Sequence, residues 1–498
     1  MPQNIDILLI NPGDHRGTYQ ALGTSIAAIE PPVFAGLFAT YLQKKGKQVA
    51  IFDVPASQLS AEAAVSQMLS EYAPKLVVLV VYGLQPSAST QNMPSAGKIA
   101  RLIKEASDVP VMMTGTHPAA LPERTMREEK VDFVCSLEGP VTILKTAEAL
   151  AAGATDFSAI PSLWWKRSTA SGPLIMPPQS AEPLIADLDG EMPGIAWDLL
   201  DMRRYRAHNW HCFDHIDQRA PYASIHTSLG CPYKCNFCCI NAPFGKNAYR
   251  MWSAETVVKE IDHLVQHYGI KNIKFVDEMF VLNRRHVLDI CDLLIERNYD
   301  LNIWAYARVD TVKDDMLAKL RAAGFNWLAL GIESGSEHVR DGAEKSFSSQ
   351  DIIDVVRKIQ AHGIRVMGNY IFGLPDDTHA SMQATLDLAL ELNCEFANFY
   401  SAMAYPGSQL YGLAQQQGIA LPEHWGAYSQ HAYDCLPLAN ANLSAAEILA
   451  FRDQAFNTYF ASPRYREMVQ EKFGQKVLDH LDEVLAISLP RKLLEREA

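Results

Sequence analysis

Short apolar segments alternate with segments of helical periodicity along most of the chain, and this alternation constrains the fold more than any other feature. Residues 6–11 form an apolar run closed by Pro12 and Gly13, residues 32–45 have helical periodicity, and residues 48–53 form a second apolar run. A buried parallel strand is typically a continuous apolar run of this length, and a helix connects it to the next parallel strand. The alternation predicts an α/β architecture.

The first series of such segments predicts a doubly wound, Rossmann-like domain over residues 1–150. Four further segments, alternately helical and apolar, lie at residues 61–72, 76–81, 95–107 and 109–114. Between residues 151 and 221 the periodicity fades while Pro, Gly and Trp accumulate, so we interpret this segment as a linker.

A second series predicts a partial (β/α)6 barrel over residues 222–411, because helix-period segments separate its six apolar runs. The apolar runs lie at residues 222–227, 273–276, 303–307, 327–330, 365–370 and 396–400. Beyond Leu410 the periodic segments at 444–460 and 465–489 are helical, and they predict a C-terminal helical domain over residues 412–498.

Charge and apolar content narrow the classes of partner. The net charge of −13 gives no basic surface for a phosphate backbone, which favours a small-molecule or peptide substrate over nucleic acid. No apolar run reaches the roughly 18 residues that a membrane span needs, and the N-terminus lacks a signal-type segment. The odd number of cysteines, nine, fits reduced thiols better than disulfides, so we expect a cytoplasmic protein.

Three cysteines form the strongest chemical motif. Cys231, Cys235 and Cys238 have the spacing C-x3-C-x2-C on a Gly- and Pro-containing loop after a predicted strand. Three thiolates hold three irons of a 4Fe-4S cubane and leave the fourth iron open to a ligand. The alternative, a zinc site, requires a second ligand pair that the sequence does not offer at a typical spacing. The adjacent Cys239 is interpreted as a packed thiol.

This motif resembles the signature of the radical S-adenosylmethionine (SAM) superfamily, including an aromatic residue, Phe237, before the third cysteine. The resemblance implies that the open iron chelates the amino and carboxylate groups of SAM. It further implies that electron transfer, from a flavodoxin- or ferredoxin-type donor, cleaves SAM to a 5′-deoxyadenosyl radical.

The same resemblance implies a set of SAM contacts at the carboxyl ends of successive predicted strands, where barrel active sites form. Taken singly, each polar residue of the set is equally explained by a strand-end salt bridge. The alternative for the turn at Phe372 and Gly373, which is expected to approach adenine, is a plain βα turn. With Phe237, the predicted contacts are Asp277, Glu278, Arg308, Glu333 and Phe372.

The N-terminal domain resembles the cobalamin-binding domain of cobalamin-dependent radical SAM enzymes. The alternative is a flavodoxin-like scaffold that binds nothing. The resemblance implies a cobalamin site formed by small residues and turns at the carboxyl edge of the sheet. The predicted residues are Asn11, Pro12, Leu84, Gln85, Ser87, Gly115, Thr116, His117, Glu138 and Gly139.

His15 is predicted not to coordinate cobalt. Methionine-synthase-like domains supply their axial histidine from a D-x-H-x-x-G loop, whereas here Asp14 is followed directly by His15, Arg16 and Gly17.

The predicted function is methylation of an unactivated carbon, with cobalamin as methyl carrier and SAM as radical source. The alternatives are a cobalamin-assisted cyclase or rearrangement enzyme and a non-catalytic cobalamin or redox sensor. Aromatic residues of the linker and the C-terminal domain are candidates for substrate contact, with domain packing as an equal alternative. The candidates are Trp210, Tyr428 and His431.

Overall fold

The computed structural model describes residues 1–23, 27–83, 85–170 and 172–495. Within them, the N-terminal domain has a seven-stranded sheet in the order β2-β1-β3-β4-β5-β6-β7. The strands are β1 Gln3–Asn11, β2 Val49–Asp53, β3 Tyr72–Val80, β4 Val111–Thr114, β5 Phe133–Cys135, β6 Leu163–Thr169 and β7 Gly172–Met176.

The first five strands are parallel, as the apolar runs predict. The order of winding reverses between β1 and β3, which is where a doubly wound sheet opens a crevice at its carboxyl edge. Helices connect the strands. They are α1 His15–Tyr19, α2 Val33–Lys44, α3 Val54–Ser57, α4 Ala61–Glu71, α5 Pro86–Ala106, α6 Thr116–Ala120, α7 Pro122–Glu128, α8 Pro140–Ala151 and α9 Leu188–Glu191.

The segment interpreted as a linker contributes to the first sheet. Strands β6 and β7 form an antiparallel hairpin, and β6 pairs antiparallel with β5 through Phe133 and Trp165. Apolar periodicity is weak here because the hairpin is an edge extension, with only one face of β6 buried and β7 mostly exposed.

The second domain confirms the predicted partial barrel, with six parallel strands in the order β15-β14-β13-β12-β11-β8. Its strands, with the small hairpin β9-β10, are β8 Tyr222–Ile225, β9 Ser228–Leu229, β10 Arg250–Met251, β11 Asn272–Phe275, β12 Asn302–Ala307, β13 Phe325–Glu333, β14 Arg365–Phe372 and β15 Phe396–Ser401. Its helices are α10 Ala254–Tyr268, α11 Arg284–Arg297, α12 Asp314–Ala322, α13 Glu337–Gly342, α14 Ser349–Ala361 and α15 His379–Leu392.

The C-terminal region is helical, as predicted, but the helix expected at residues 465–489 is two helices. The chain turns at Gly474, whose φ of +82° is accessible to glycine. Within the described residues, no helix combines the length and apolar character needed to cross a membrane. The helices are α16 Gln409–Gln417, α17 Ala445–Ala461, α18 Pro463–Phe473, α19 Gln475–Leu485 and α20 Lys492–Glu495.

Buried polar contacts join the N-terminal domain to the barrel. Lys274, on β11, donates to the carboxylate of Glu30 at 3.0 Å, and the hydroxyl of Tyr222 donates to the same oxygen at 2.9 Å. Lys274 is almost fully buried, so its charge depends on this carboxylate. These contacts hold the carboxyl edges of the two sheets against each other.

Candidate functional site

The carboxyl ends of the barrel strands open into a cavity of about 1530 Å³, which we call the thiol cavity. Cys231, Cys235, Cys238 and Phe237 all lie on its wall. Burial raises the pKa of the Cys231 thiol to about 11, so its proton is displaced when a metal binds.

The backbone of the cysteine loop is fixed by local contacts. The Asn241 side chain forms two hydrogen bonds with the Cys231 backbone. Its NH2 group donates to the Cys231 carbonyl at 2.8 Å, and its oxygen accepts from the Cys231 N–H at 3.1 Å. Gly230 has a φ of +84°, and a Cβ there would lie 2.3 Å from the carbonyl oxygen of Ala248. These contacts fix the backbone of the loop around Cys231.

Cys231, Cys235 and Cys238 line one cavity, as the ligands of a single cluster must. In a cubane each thiolate binds a different iron, so the three sulfur atoms need not meet at one point.

Charged side chains from three strand ends form the wall beside the thiols. Arg308 lies 3.9 Å from the centroid of the Tyr233 ring, and one of its nitrogens is 3.8 Å from the Cys235 sulfur. Glu333 has a left-handed φ of +64° and accepts a hydrogen bond from Lys345. Burial raises the pKa of Glu278 to about 8. The wall offers carboxylate and cationic groups to an amino-acid ligand such as the methionyl part of SAM.

Sequence reasoning missed Lys345, which lines the thiol cavity and is 5% exposed. It follows the short helix α13 instead of ending a strand, so no periodicity or motif marks it. Only its proximity to Glu333 reveals it.

Two predicted SAM contacts lie elsewhere. Asp277 is fully buried beside the cavity, and its oxygens accept bonds from the N–H of Thr227 at 2.6 Å and the hydroxyl of Ser228 at 2.7 Å. Phe372 points into the core and stacks on Phe399 at 5.8 Å. Neither side chain is on the cavity wall, because neighbouring positions point in different directions: Glu278 and Ile371 face the cavity instead.

A second cavity, of about 860 Å³, opens at the reversal point of the first sheet, and we call it the switch cavity. Predicted residues Asn11 and Pro12 line it. The N-termini of α2 and α5 border this cavity, and neither has a side-chain hydrogen-bond cap. Uncapped N–H groups and the positive ends of two helix dipoles suit the phosphate and amide oxygens of a cobalamin.

The two cavities adjoin each other. Tyr19 and Gln91 line both of them, and a narrow cleft lined by Tyr82, Gln85 and Glu278 lies beside them. Gln85 and Ser87 face the thiol cavity and Thr116 faces the cleft. Leu84 and the side chain of His15 lie outside the described residues.

Other predicted cobalamin residues have structural partners. His117 is 1% exposed, lies 3.1 Å from the hydroxyl of Thr90 and packs edge-on against Trp425. Burial lowers its pKa to about 3, so it is neutral. Gly115, with a φ of +140°, allows close approach to the backbone of Val81. These two positions hold the turn after β4 and do not line the switch cavity.

The N-terminus of α8, next to the predicted cobalamin residues Glu138 and Gly139, is occupied by an internal carboxylate. Glu182 accepts from the N–H of Gly139 at 2.7 Å and of Thr142 at 2.8 Å. The neighbouring Glu138 pairs with Arg250 of the barrel. Glu138 and Gly139 therefore brace the domains and are not available to a phosphate.

Of the three candidate substrate residues, only His431 lines the thiol cavity. Trp210 is packed edge-on against Trp304 and Trp327, at 5.0 and 5.3 Å, in the core among the barrel strands. Tyr428 is 1% exposed and packs on Trp425. The domain-packing alternative holds for these two.

Two families match the sequence: the Radical SAM superfamily over residues 225–389 and the B12 binding domain over residues 19–145. An uncharacterized methyltransferase of Pyrococcus horikoshii is 30% identical, with 85% of this chain and 86% of that protein covered. The anaerobic magnesium-protoporphyrin IX monomethyl ester cyclase of Rubrivivax gelatinosus is 25% identical, with 81% and 69% covered.

Two solved structures share the fold. The radical SAM methyltransferase TsrM from Kitasatospora setae, with cobalamin and a 4Fe-4S cluster bound, has a TM-score of 0.64 at 19% identity, covering 85% of this chain and 76% of that one. The cobalamin-dependent radical SAM enzyme OxsB, with aqua-cobalamin and SAM bound, has a TM-score of 0.69 at 15% identity, covering 97% and 72%.

A partial parallel barrel with a three-thiol loop at its mouth defines a radical SAM enzyme. The B12 binding domain placed before it narrows this class. The chain belongs to the cobalamin-dependent radical SAM enzymes, and it is methyltransferase-like. Its cofactors are a 4Fe-4S cluster, SAM and cobalamin.

Proposed function

We propose that the chain methylates an unactivated carbon of a small molecule or peptide. The observation that carries this proposal is that the two cavities adjoin, with Tyr19 and Gln91 in the walls of both. A substrate held at this junction is within reach of both cofactors. In this enzyme class SAM and the cluster supply a 5′-deoxyadenosyl radical and cobalamin supplies a methyl group.

The residues of the chain position and shield this chemistry. Cys231, Cys235 and Cys238 hold the cluster, and the polar wall of Glu278, Arg308, Glu333 and Lys345 orients the amino-acid part of SAM. The uncapped helix ends at the switch cavity hold the polar groups of cobalamin. An external one-electron donor of the flavodoxin or ferredoxin type reduces the cluster. None of the nine cysteines forms a disulfide, which supports a reducing, cytoplasmic setting.

The test measures the two products of SAM. Coupled methylation is expected to give S-adenosylhomocysteine and 5′-deoxyadenosine in roughly equal amounts, with label from deuterated SAM methyl in the product. Turnover that yields 5′-deoxyadenosine without S-adenosylhomocysteine or label contradicts methylation. That result supports the second candidate, a cyclase or rearrangement, which is favoured by the 25% identity to the cyclase of Rubrivivax gelatinosus.

A further inference from the structure

Two buried polar atoms on the wall of the thiol cavity have no hydrogen-bond partner among the residues that the structure describes. They are the hydroxyl oxygen of Ser401 and Nδ1 of His431. Ser401 ends β15 and is only 2% exposed. A buried polar group without a partner is costly, and native proteins supply one, from protein, water or ligand.

Gln430 links the segments that carry these two residues. Its side-chain oxygen accepts from the N–H of Ser401 at 2.9 Å, and its amide donates to the Ser401 carbonyl at 2.9 Å. His431 follows Gln430 directly, so the double hydrogen bond places its ring at the end of β15. The Ser401 side chain is left free of these contacts.

The loop that carries Gln430 and His431 is held from the outside by the C-terminal segment. Arg491 donates to the carbonyls of Gln430 at 3.0 Å and Ala432 at 3.1 Å, and it is 4% exposed. Its other nitrogens bind both oxygens of Asp453. The loop is therefore preorganised, which reduces the entropy lost when a ligand binds.

The N-terminal domain holds the same loop from the other side. The side chain of Gln20 donates to the His431 carbonyl at 2.6 Å, and Ser429 donates to the carbonyl of Thr18 at 2.6 Å. The Tyr19 ring lies 5.8 Å from the His431 ring. Because Tyr19 lines both cavities, this corner lies at their junction, where a substrate has to meet both cofactors.

The chemistry of the corner favours an oxygen that accepts hydrogen bonds. Burial lowers the pKa of His431 well below its usual value, and the positive charges of Arg452 and Arg491 add to this effect, so the ring is neutral. These two buried arginines share the single carboxylate of Asp453, which leaves an excess positive charge behind the loop. A negatively polarised oxygen is attracted to this side of the cavity.

Apolar side chains also line this cavity. Ile371, Met403 and the ring of Tyr400 lie on the same wall. Burial raises the pKa of the Tyr400 phenol, so it carries no charge. The lining suits an apolar body that bears one oxygen group.

We propose that Ser401 and His431 form a subsite for a carbonyl or carboxylate oxygen of the substrate, attached to an apolar body. This inference rests on the proposed function, because it assigns the junction of the cavities to the substrate. Ser401 and His431 are specificity residues in this proposal, and Arg491 is a positioning residue.

The test uses three probes of one shape: benzamide, benzoate and toluene. Their binding to anaerobic enzyme loaded with cluster and cobalamin is measured by ligand-observed NMR. Benzamide or benzoate is expected to bind more tightly than toluene. Ser401→Ala and His431→Phe are each expected to weaken the binding of the tighter of these two probes about tenfold. Toluene binding should stay unchanged. The comparison of benzamide with benzoate distinguishes a neutral carbonyl from a carboxylate.

Tyr428→Phe is the matched control, because it removes a buried unpartnered hydroxyl outside the cavity. It should leave all three affinities unchanged. Equal behaviour of all probes, or equal loss in Ser401→Ala and Tyr428→Phe, overturns the subsite. If the variants do not fold, a crystal of the wild-type enzyme soaked with benzamide decides the question. A benzamide oxygen hydrogen-bonded to Ser401 or His431 supports the subsite. An ordered water that remains at these two residues refutes it.

Failure of the proposed function is measured separately on the wild-type preparation. Iron content and cleavage of SAM to 5′-deoxyadenosine report the cluster and SAM site without any probe. If a preparation contains iron and cleaves SAM but binds the three probes equally, only the subsite is refuted. If the preparation lacks iron or does not cleave SAM, the proposed function is refuted.

Discussion

The guanidinium of Arg250 and the carboxylate of Glu138 form an ion pair between the two domains, with Nη2 2.6 Å from Oε1. Glu138 is 1% exposed and also accepts from the N–H of Ile185 at 3.1 Å. Both charges are therefore withdrawn from water at a position that the sequence assigned to cofactor binding.

Removing one partner of this pair should destabilise the protein, because the other charge stays buried. We expect Glu138→Gln to lower the free energy of unfolding by about 3 kcal/mol in urea titrations. The double variant Glu138→Gln, Arg250→Met should lose less than the sum of the single losses. As a control, Glu62→Gln disrupts an exposed pair with Lys98 and should change the free energy of unfolding far less. Additive losses would contradict the coupling.

Replacing Cys231, Cys235 and Cys238 together by Ala should abolish the cluster, since no other three cysteines have this chelating spacing. Iron content and charge-transfer absorbance after anaerobic reconstitution measure the result. Cys239→Ala is the matched control and should retain the cluster, because Cys239 lies outside the C-x3-C-x2-C motif although it also lines the thiol cavity. A triple variant that holds a full cubane refutes the assignment.

Filling the switch cavity should remove cobalamin and leave the cluster. Ala88, in the first turn of α5, lines this cavity, and we expect Ala88→Phe to weaken cobalamin binding at least about tenfold by steric exclusion. Cobalamin absorbance after desalting measures this, with iron content as the internal reference. Ala106→Phe, at the exposed opposite end of α5, should bind normally. Equal retention in both variants would place cobalamin elsewhere.

His15 should not coordinate cobalt, as the spacing around it predicts. Electron paramagnetic resonance of the Co(II) form is expected to show no nitrogen splitting from the protein, and His15→Ala should leave the spectrum unchanged. Nitrogen splitting that disappears in His15→Ala would overturn this prediction.

Glu260 should make the protein less stable as pH rises. Burial raises its pKa to about 7, so between about pH 4.5 and 7 the folded state binds more protons than the unfolded state. The contribution of protonated Glu260 to the free energy of unfolding is fully present below pH 4.5 and is lost as the pH rises through 7. One of its oxygens accepts from both the Ile195 N–H and the Trp197 indole, bonds that a glutamine oxygen can also accept.

Between pH 5 and pH 8, the free energy of unfolding of the wild type should therefore fall by about 2 kcal/mol relative to that of Glu260→Gln. Urea unfolding of both proteins at the two pH values measures this difference. The same wild-type-to-variant difference at both pH values would contradict the prediction.

The sequence was sufficient to predict the class of fold and the cofactors. Buried parallel strands appear as short continuous apolar runs and connecting helices as a period of 3.6 residues, both of which are local patterns, and the cysteine spacing lies within one loop. The strand order and the hairpin β6-β7 depend on pairing between distant segments, for which the chain has no local pattern.

Within the site, the sequence identified which strand ends carry polar residues but not which side chains face the cavity. Glu278 lines it while Asp277 braces Thr227 and Ser228, and Ile371 lines it while Phe372 packs in the core. Turns after strands do not keep the regular alternation, so the direction of each side chain depends on packing.

The sequence by itself determined the α/β domains, the three-thiol loop and the presence of two cofactor-binding regions, because short segments encode each of them. Tertiary structure alone decided that Glu182 fills the N-terminus of α8, that Lys345 meets Glu333 and that His431 meets Tyr19. The last contact joins residues more than 400 positions apart. The contact between His431 and Tyr19 forms only when the carboxyl edges of both sheets are packed face to face. None of the three contacts leaves a signal in the local pattern of the chain.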